Sequence, residues 1–147
     1  MDKTVVASGQ GPIASDELDE PQTALAVATH HADCTRVVVN GLVYPEGDLR
    51  EQYREILGLV EQLVGEFDGS LHDLTRLRHY VEASALDAEA RGTLHEVRSE
   101  FLEPPHYPAS CLVEVRAVGV EGSTLEVEAR ATVPDDGWQV TTITGEE

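Results

Sequence analysis

A strand, an interruption and a helix succeed one another in residues 35–67, which read TRVVVNGLVYPEGDLREQYREILGLVEQLVGEF. Residues 35–44 are rich in the β-branched side chains that strands favour, and Pro45 and Gly47 then interrupt the chain. Across residues 48–67 apolar side chains recur at steps of three and four, which predicts an amphipathic helix. Its apolar positions are Leu49, Tyr53, Ile56, Leu57, Val60, Leu63, Val64 and Phe67.

Both ends of this helix carry residues that suit helix termini. Asp48 is a predicted N-cap, and Glu51 follows at the spacing of a capping box. Gly69 comes after the last apolar position and is predicted to stop the helix. Gly58 and Gly65 weaken the helix unless close packing requires them.

The sequence before this stretch predicts a β-hairpin. Residues 23–30, TALAVATH, alternate apolar with polar or small side chains, HADC at 31–34 offers a turn, and residues 35–44 form the second strand. Residues 1–22 are mostly small, polar and acidic, which predicts a loose lead-in or an edge strand.

The sequence after it predicts a further strand and a second helix. Residues 73–83, DLTRLRHYVEA, alternate as a strand does. Ser84 is then a predicted N-cap, with Asp87 three residues later, and Pro104 and Pro105 end the helix. The apolar positions of this helix are Ala90, Leu94, Val97 and Phe101.

Two more strands, within residues 109–118 and 123–133, complete the pattern. The tail over residues 134–147 carries Trp138, the only tryptophan, and is expected either to pack back as an edge segment or to fray. We therefore expect one domain over residues 23–133, flanked by the lead-in and the tail.

The order β-β-α-β-α-β-β predicts an α+β fold with both helices on one face of a mixed sheet. The other face then has no cover within the chain. Side chains on both sides of VVV at 37–39 and CLVEV at 111–115 are apolar. We therefore expect this face to pack against copies of the same chain.

The net charge of the chain disfavours one class of partner. The chain has 28 acidic and 10 basic residues, a formal net charge of −18. Such a charge repels itself at low ionic strength and is screened at high ionic strength, which favours a halophile-like setting over an ordinary acidic protein. A nucleic-acid backbone is disfavoured as a partner, because no basic cluster is present to displace its counterions.

The remaining composition indicates a reduced compartment and no cofactor. Cys34 and Cys111 form no CxxC pair, so we expect reduced thiols. The six histidines show no metal-ligand spacing. Residues 1–20 lack the basic and apolar segments of a secretory signal, and no run of about 18 apolar residues is present. A cytoplasmic location is expected.

Four stretches, in order, resemble the Rid family of reactive-intermediate deaminases, also called the YjgF family. The likeness runs from Thr35 to Val133. Its pieces are VVVNGLVYPEGDLREQYREIL, GSLHDLTRLRHYV, YPASCLVEVRAV and STLEVEARA. The third piece is similar to a PARS-x-VEV strand, and the fourth to a closing IEIEA strand.

The resemblance implies a chorismate-mutase-like subunit in a homotrimer, with ligand clefts between neighbouring subunits. It also implies hydrolysis of enamines and imines derived from amino acids, which releases ammonia and a 2-keto acid. In the family an arginine holds the substrate carboxylate and a glutamate positions water.

These roles can be assigned by position to residues of this sequence, but only some of those positions carry the residue found in the family. Glu126 matches the glutamate and is the candidate catalytic residue; Asn40-Gly41 matches a Ser-Gly turn. Glu126 is otherwise a solvated strand residue, like Glu114 and Glu128, and Asn-Gly is otherwise a normal turn dipeptide.

At the remaining matched positions the family's residues are replaced, and the expected site loses its positive charge. Leu94 replaces a helix asparagine, Ser110 replaces the arginine of PARS, and Cys111 replaces the serine after it. Their other interpretation is packing. Arg116 lies six residues beyond Ser110, roughly 20 Å along a strand, so it does not reach the same pocket. Arg76, Arg78 or an arginine of a neighbouring subunit remain as replacements.

Three functions follow from these patterns. The first is a trimeric hydrolase acting on the C–N bond of small imines. The alternative is a trimer that binds a small metabolite without turning it over, which the loss of the arginine favours. An endoribonuclease or translation inhibitor is the third, and the charge of −18 argues against it.

Overall fold

One mixed sheet carries two helices in the computed structural model, which describes residues 1–7 and 23–145. Within these residues the strand order is β1-β2-β3-β6-β4-β5, and only β4 and β5 are parallel. The α+β class and the mixed sheet are confirmed. The elements are β1 (Asp2–Ala7), β2 (Ala24–His30), β3 (Cys34–Leu42), α1 (Leu49–Gly65), β4 (Leu74–Glu82), α2 (Ala90–Phe101), β5 (Ala109–Val115) and β6 (Leu125–Pro134).

The predicted hairpin is β2 and β3, whose turn is closed by a hydrogen bond from His31 N to Cys34 O of 2.9 Å. The last strand of the chain, β6, inserts between β3 and β4. The lead-in contributes edge strand β1 through residues 2–7. Its residues 8–22 lie outside the described part of the chain.

The core lies between the sheet and the helices, because alternate strand residues face α1 and α2. Its side chains come from β3, β4 and β6 on one side and from the apolar stripes of both helices on the other. They include Val37, Val39, Leu77, Val81, Leu125, Val127, Ile56, Leu57, Val60, Leu94 and Val97.

Helix α1 begins as predicted and ends earlier. Asp48 Oδ1 accepts a hydrogen bond of 2.9 Å from Glu51 N, the expected N-cap contact. The helix ends at Gly65, and the residue in the left-handed conformation is Asp68, with φ of 62°. Gly69 has a packing role instead: a Cβ there would lie 2.6 Å from Val133 Cγ2.

The start predicted for α2 is wrong. Ser84 lies in a short 3₁₀ turn over Ala83–Ala85, and the helix begins at Ala90. Asp87 Oδ1 caps the turn before the helix by accepting from Glu89 N at 2.9 Å. The predicted pair Ser84 and Asp87 thus lies before the helix, whose N-cap residue is Glu89.

The sheet face away from the helices has an apolar half and a charged half. One row across it runs from Val5 through Val27 to Val38, which is 52% exposed. The same row then continues through Arg130 and Arg76. The apolar side chains expected from VVV thus continue on β1 and β2, whereas β6 and β4 present arginines on this face.

The tail packs back without forming a strand in residues 135–145. Trp138 Nε1 donates a 2.6 Å hydrogen bond to Asp73 Oδ1. This contact joins the tail to the start of β4. In the described residues, neither helix has the length and apolar character needed to cross a bilayer.

Candidate functional site

A β-bulge at Asn40–Gly41 shapes the first part of the site. The pairing of β3 with β6 steps from Val39↔Ala129 to Leu42↔Val127, so two residues of β3 oppose one residue of β6. The dipeptide is therefore part of a strand and not a turn. Bulges of this kind often redirect backbone beside functional sites.

Gly41 leaves room for the carboxyl group of Glu126. A Cβ at position 41 would lie 2.9 Å from Glu126 Cδ and 3.1 Å from its Oε2. Burial of this carboxyl raises the pKa of Glu126, and the nearby charge of Glu128 raises it further. The Glu126 carboxyl group therefore packs against the Gly41 backbone, and it stays protonated to a higher pH than an ordinary glutamate.

Glu126 faces a cleft of about 410 Å³ on the uncovered side of the sheet. Tyr80 lies in the same cleft and donates a 2.7 Å hydrogen bond to Glu128 Oε1. The structure thereby brings together the predicted site residues of β3 and β6. The residues lining the cleft are Asn40, Gly41, Val43, Tyr80, Val120, Glu126 and Glu128.

The other three predicted site residues line a second groove, of about 200 Å³, between α2 and β5. Leu94 is buried at its base, and Ser110 is exposed at its edge. Two arginines of α2 complete the walls. The lining residues are Arg91, Leu94, Arg98, Ser110, Cys111 and Leu112.

A buried hydrogen-bonded pair supports the backbone of this groove. Tyr53 Oη and His79 Nε2 lie 2.6 Å apart, and His79 Nδ1 lies 2.9 Å from the carbonyl oxygen of Cys111. Nδ1–H therefore donates to the carbonyl, and Nε2 accepts from the tyrosine. Burial lowers the pKa of His79 and raises the pKa of Tyr53, so both groups are neutral at pH 7.

The cleft and the groove lie on opposite faces of one sheet. Ser110 is paired with Leu77, whose side chain is in the core, and Ser110 Oγ lies 3.5 Å from His79 Nδ1. Glu126 is paired with Tyr80, which points to the uncovered face. A single subunit therefore keeps Leu94 and Ser110 apart from Glu126, whereas the Cys111 thiol points with Arg76 to the uncovered face.

Arg76 and Arg78, which could have replaced the missing guanidinium group, do not face the groove. Arg76 Nη2 approaches Cys111 Sγ at 3.9 Å, and Arg78 Nη1 lies 3.8 Å from Glu128 Oε1. Both belong to the uncovered face. Within residues 1–7 and 23–145, no group of three or more His, Cys, Asp or Glu side chains is placed to hold a metal ion.

Comparison with known proteins shows the family. The family model described as endoribonuclease L-PSP matches residues 1–133. The chain belongs to the endoribonuclease L-PSP family. Solved structures of the YjgF and Rid groups share its fold, so the resemblance to the Rid/YjgF family is confirmed.

Rv2704 of Mycobacterium tuberculosis, described as a member of the YjgF/YER057c/UK114 family, is 28% identical to this L-PSP family chain. The match covers 90% of this chain and 100% of Rv2704, with a TM-score of 0.70. RidA from the Antarctic bacterium Psychrobacter sp. PAMC 21119 is 18% identical over 88% of this chain and 99% of its own, with a TM-score of 0.68.

YyfA of Yersinia pestis, described as a protein of unknown function in the conserved Rid family, is 16% identical. That match covers 90% of this chain and 100% of YyfA, with a TM-score of 0.69. No protein of curated function matches this member of the L-PSP family.

Sequence reasoning missed three features of this L-PSP family chain. Arg91 and Arg98 share the groove with Ser110, which their spacing of seven on one helix face could have suggested. No local sequence pattern indicates the Tyr53–His79 pair, because the two residues are 26 positions apart in the chain. Gln52 joins two loops, since its Nε2 donates to Gly47 O and Gly122 O, and its Oε1 accepts from Thr124 N.

Proposed function

We propose that the protein is a trimeric hydrolase of small enamines and imines, releasing ammonia and a 2-keto acid. The observation that carries this proposal is the carboxyl group of Glu126, held against Gly41 in an open cleft with a raised pKa. A carboxylate with its pKa moved toward neutrality is a better general base than an ordinary one. The resemblance to the Rid deaminases, with which this chain shares a fold, supports the same chemistry.

In the proposed reaction Glu126 takes a proton from a water molecule, whose oxygen adds to the carbon of the C=N bond. The imine nitrogen takes up a proton from solvent, so the product of addition is a neutral carbinolamine. The C–N bond then breaks, Glu126 returns its proton to the leaving nitrogen, and ammonia departs. The hydroxyl group releases its proton to solvent as the carbon becomes the carbonyl of a 2-keto acid.

A neighbouring subunit would complete each site. Because the Glu126 cleft and the Ser110 groove lie on opposite faces of one sheet, a single chain offers each as a half-site. A homotrimer that places the groove of one subunit over the cleft of the next joins the two halves. The valine row through Val5, Val27 and Val38 supplies apolar surface for such contact.

The test uses imines generated in situ from L-amino acids by an amino-acid oxidase, at molar KCl. Wild-type protein should accelerate ammonia release, and Glu126→Gln should abolish the acceleration. Glu114→Gln, which removes an exposed strand carboxylate on β5, should keep it. A wild-type rate equal to that of buffer would refute the hydrolase.

A second function, binding without turnover, is favoured by Ser110. Its hydroxyl donates one neutral hydrogen bond where a guanidinium would provide two charged ones. In that case 2-keto acids should raise the melting temperature while imines persist at the buffer rate. An endoribonuclease has the least support, because a charge of −18 repels a phosphate backbone.

A further inference from the structure

Helix α2 presents an arginine on each side of Leu94 to the Ser110 groove. Arg91, Leu94 and Arg98 are spaced three and four residues apart, so they lie on one face of the helix. All three line the same cavity as Ser110. The groove that lacks the family's arginine on β5 therefore has two arginines on its opposite wall.

These two guanidinium groups are not committed to carboxylates of the described chain. The acidic residues of α2 that form ion pairs face α1: Glu96 binds Arg50 at 2.6 Å, and Glu100 binds Arg54 at 2.6 Å. Among the described residues neither Arg91 nor Arg98 forms a salt bridge. In a chain with 28 acidic residues, two arginines that face a groove without a carboxylate indicate an anion from elsewhere.

Arg98 is the better placed of the two. It is half-buried, whereas Arg91 is exposed. Its positive charge acts on both members of the buried pair: it lowers the pKa of Tyr53, opposing burial, and it lowers the pKa of His79, adding to the effect of burial. The guanidinium therefore lies near the buried pair that supports Cys111, at the inner end of the groove, where charge interactions are screened less than at the surface.

We propose that Arg98 binds the carboxylate of the 2-imino or 2-keto acid, with Ser110 donating a further hydrogen bond and Arg91 adding positive charge at the outer end. This inference rests on the proposed function, because it assigns carboxylate recognition in the same site. The carboxylate is then bound by an arginine of helix α2, and not by an arginine on the edge strand β5.

Binding of 2-oxobutanoate, measured by calorimetry on wild-type protein and on Arg98→Gln, tests the assignment. Charged hydrogen bonds of about 1.5–3 kcal/mol correspond to a loss of roughly 10- to 150-fold in affinity. Arg91→Gln should lose less. Arg116→Gln removes the same charge just beyond β5 and should bind as wild type.

The neutral 2-oxobutanamide separates carboxylate recognition from a change of shape, since its affinity should be equal in wild type and Arg98→Gln. Ser110→Arg added to Arg98→Gln should restore 2-oxobutanoate binding by placing a guanidinium on the other wall. If Arg98→Gln does not fold, Arg98→Lys keeps the charge and should still lose affinity, because an ammonium cannot form the paired contact.

The inference is overturned if wild-type protein does not bind 2-oxobutanoate, or if Arg98→Gln or Arg98→Lys binds it as tightly as wild type. Equal losses in Arg98→Gln and Arg116→Gln would also overturn it. Arg98-dependent binding without imine hydrolysis would refute the hydrolase alone. Hydrolysis with an unchanged KM in Arg98→Gln would refute the role of Arg98 alone.

Discussion

Glu126 and Ser110 decide, at the scale of single residues, what this site can do. The Glu126 carboxyl group lies against the Gly41 backbone, and in the proposed reaction it is the base. Ser110 has no charge where the resemblance places an arginine, so any cation must come from elsewhere. Arg91 and Arg98 line the groove, and we propose that they supply this charge.

The raised pKa of Glu126 predicts a specific dependence of stability on pH. Burial and Glu128 make the folded protein hold this proton more tightly than the unfolded chain does. The stabilisation is therefore complete below the ordinary pKa of glutamate and is lost as pH rises through the raised pKa. Glu126→Gln does not titrate, so its free energy of unfolding should improve relative to wild type as pH rises across this range.

Urea unfolding of wild type and Glu126→Gln at a series of pH values measures this difference. Glu114→Gln serves as the control for loss of an exposed strand carboxylate. A Glu126→Gln difference that stays constant with pH would contradict the raised pKa.

At the scale of elements, a glycine within α1 and a glycine after it have opposite effects on stability. A Cβ at Gly58, in the middle of α1, would have no atom within 4 Å. A Cβ at Gly69 would lie 2.6 Å from Val133 Cγ2 and 2.7 Å from Val64 Cγ1. The first glycine only weakens the helix, whereas the second lets the chain after α1 pass close to β6.

Gly58→Ala and Gly69→Ala should therefore change stability in opposite directions. Alanine at position 58 should add about 0.5–1 kcal/mol to the free energy of unfolding, because it restores helix propensity. Alanine at position 69 should remove about 1–3 kcal/mol by overpacking. Chemical denaturation of the two variants tests both effects. A loss of stability in Gly58→Ala would mean that another subunit packs against this position.

The net charge is a property of the whole molecule, and it affects stability. With a net charge of −18, self-repulsion opposes the compact state at low ionic strength. The Debye length falls from about 10 Å at 0.1 M salt to about 3 Å at 1 M. Melting temperature should therefore rise as KCl is increased over this range. A non-ionic osmolyte at equal osmolality is the control, and an equal rise with it would exclude screening as the cause.

Assembly is the second property of the whole molecule, and Val38 tests it. This side chain is 52% exposed in the valine row of the uncovered face. Val38→Asp would bury a further negative charge in any contact between copies. It should therefore shift sedimentation from the proposed trimer of the 16.0 kDa chain toward single chains. Ile143→Asp, in the tail and 92% exposed, should leave the trimer unchanged. A trimer that persists in Val38→Asp would place the interface elsewhere.

Patterns that repeat within a few residues were enough to predict most elements. The steps of three and four from Leu49 to Val64 predicted α1, and Asp48 was found as its N-cap because capping is a contact three residues away. The alternation in β2, β3 and β4 was equally local. Ser84 failed as an N-cap, since the same local signal also suits a turn.

Only the tertiary structure decided how distant segments meet. It placed β6 between β3 and β4, turned Asn40–Gly41 into a bulge beside Glu126, and brought Arg98 across from Ser110. The physical reason is the range of the forces involved. Helix and strand periods are set by neighbouring residues, whereas a site is assembled by the packing of elements whose order in the sheet the linear pattern does not specify.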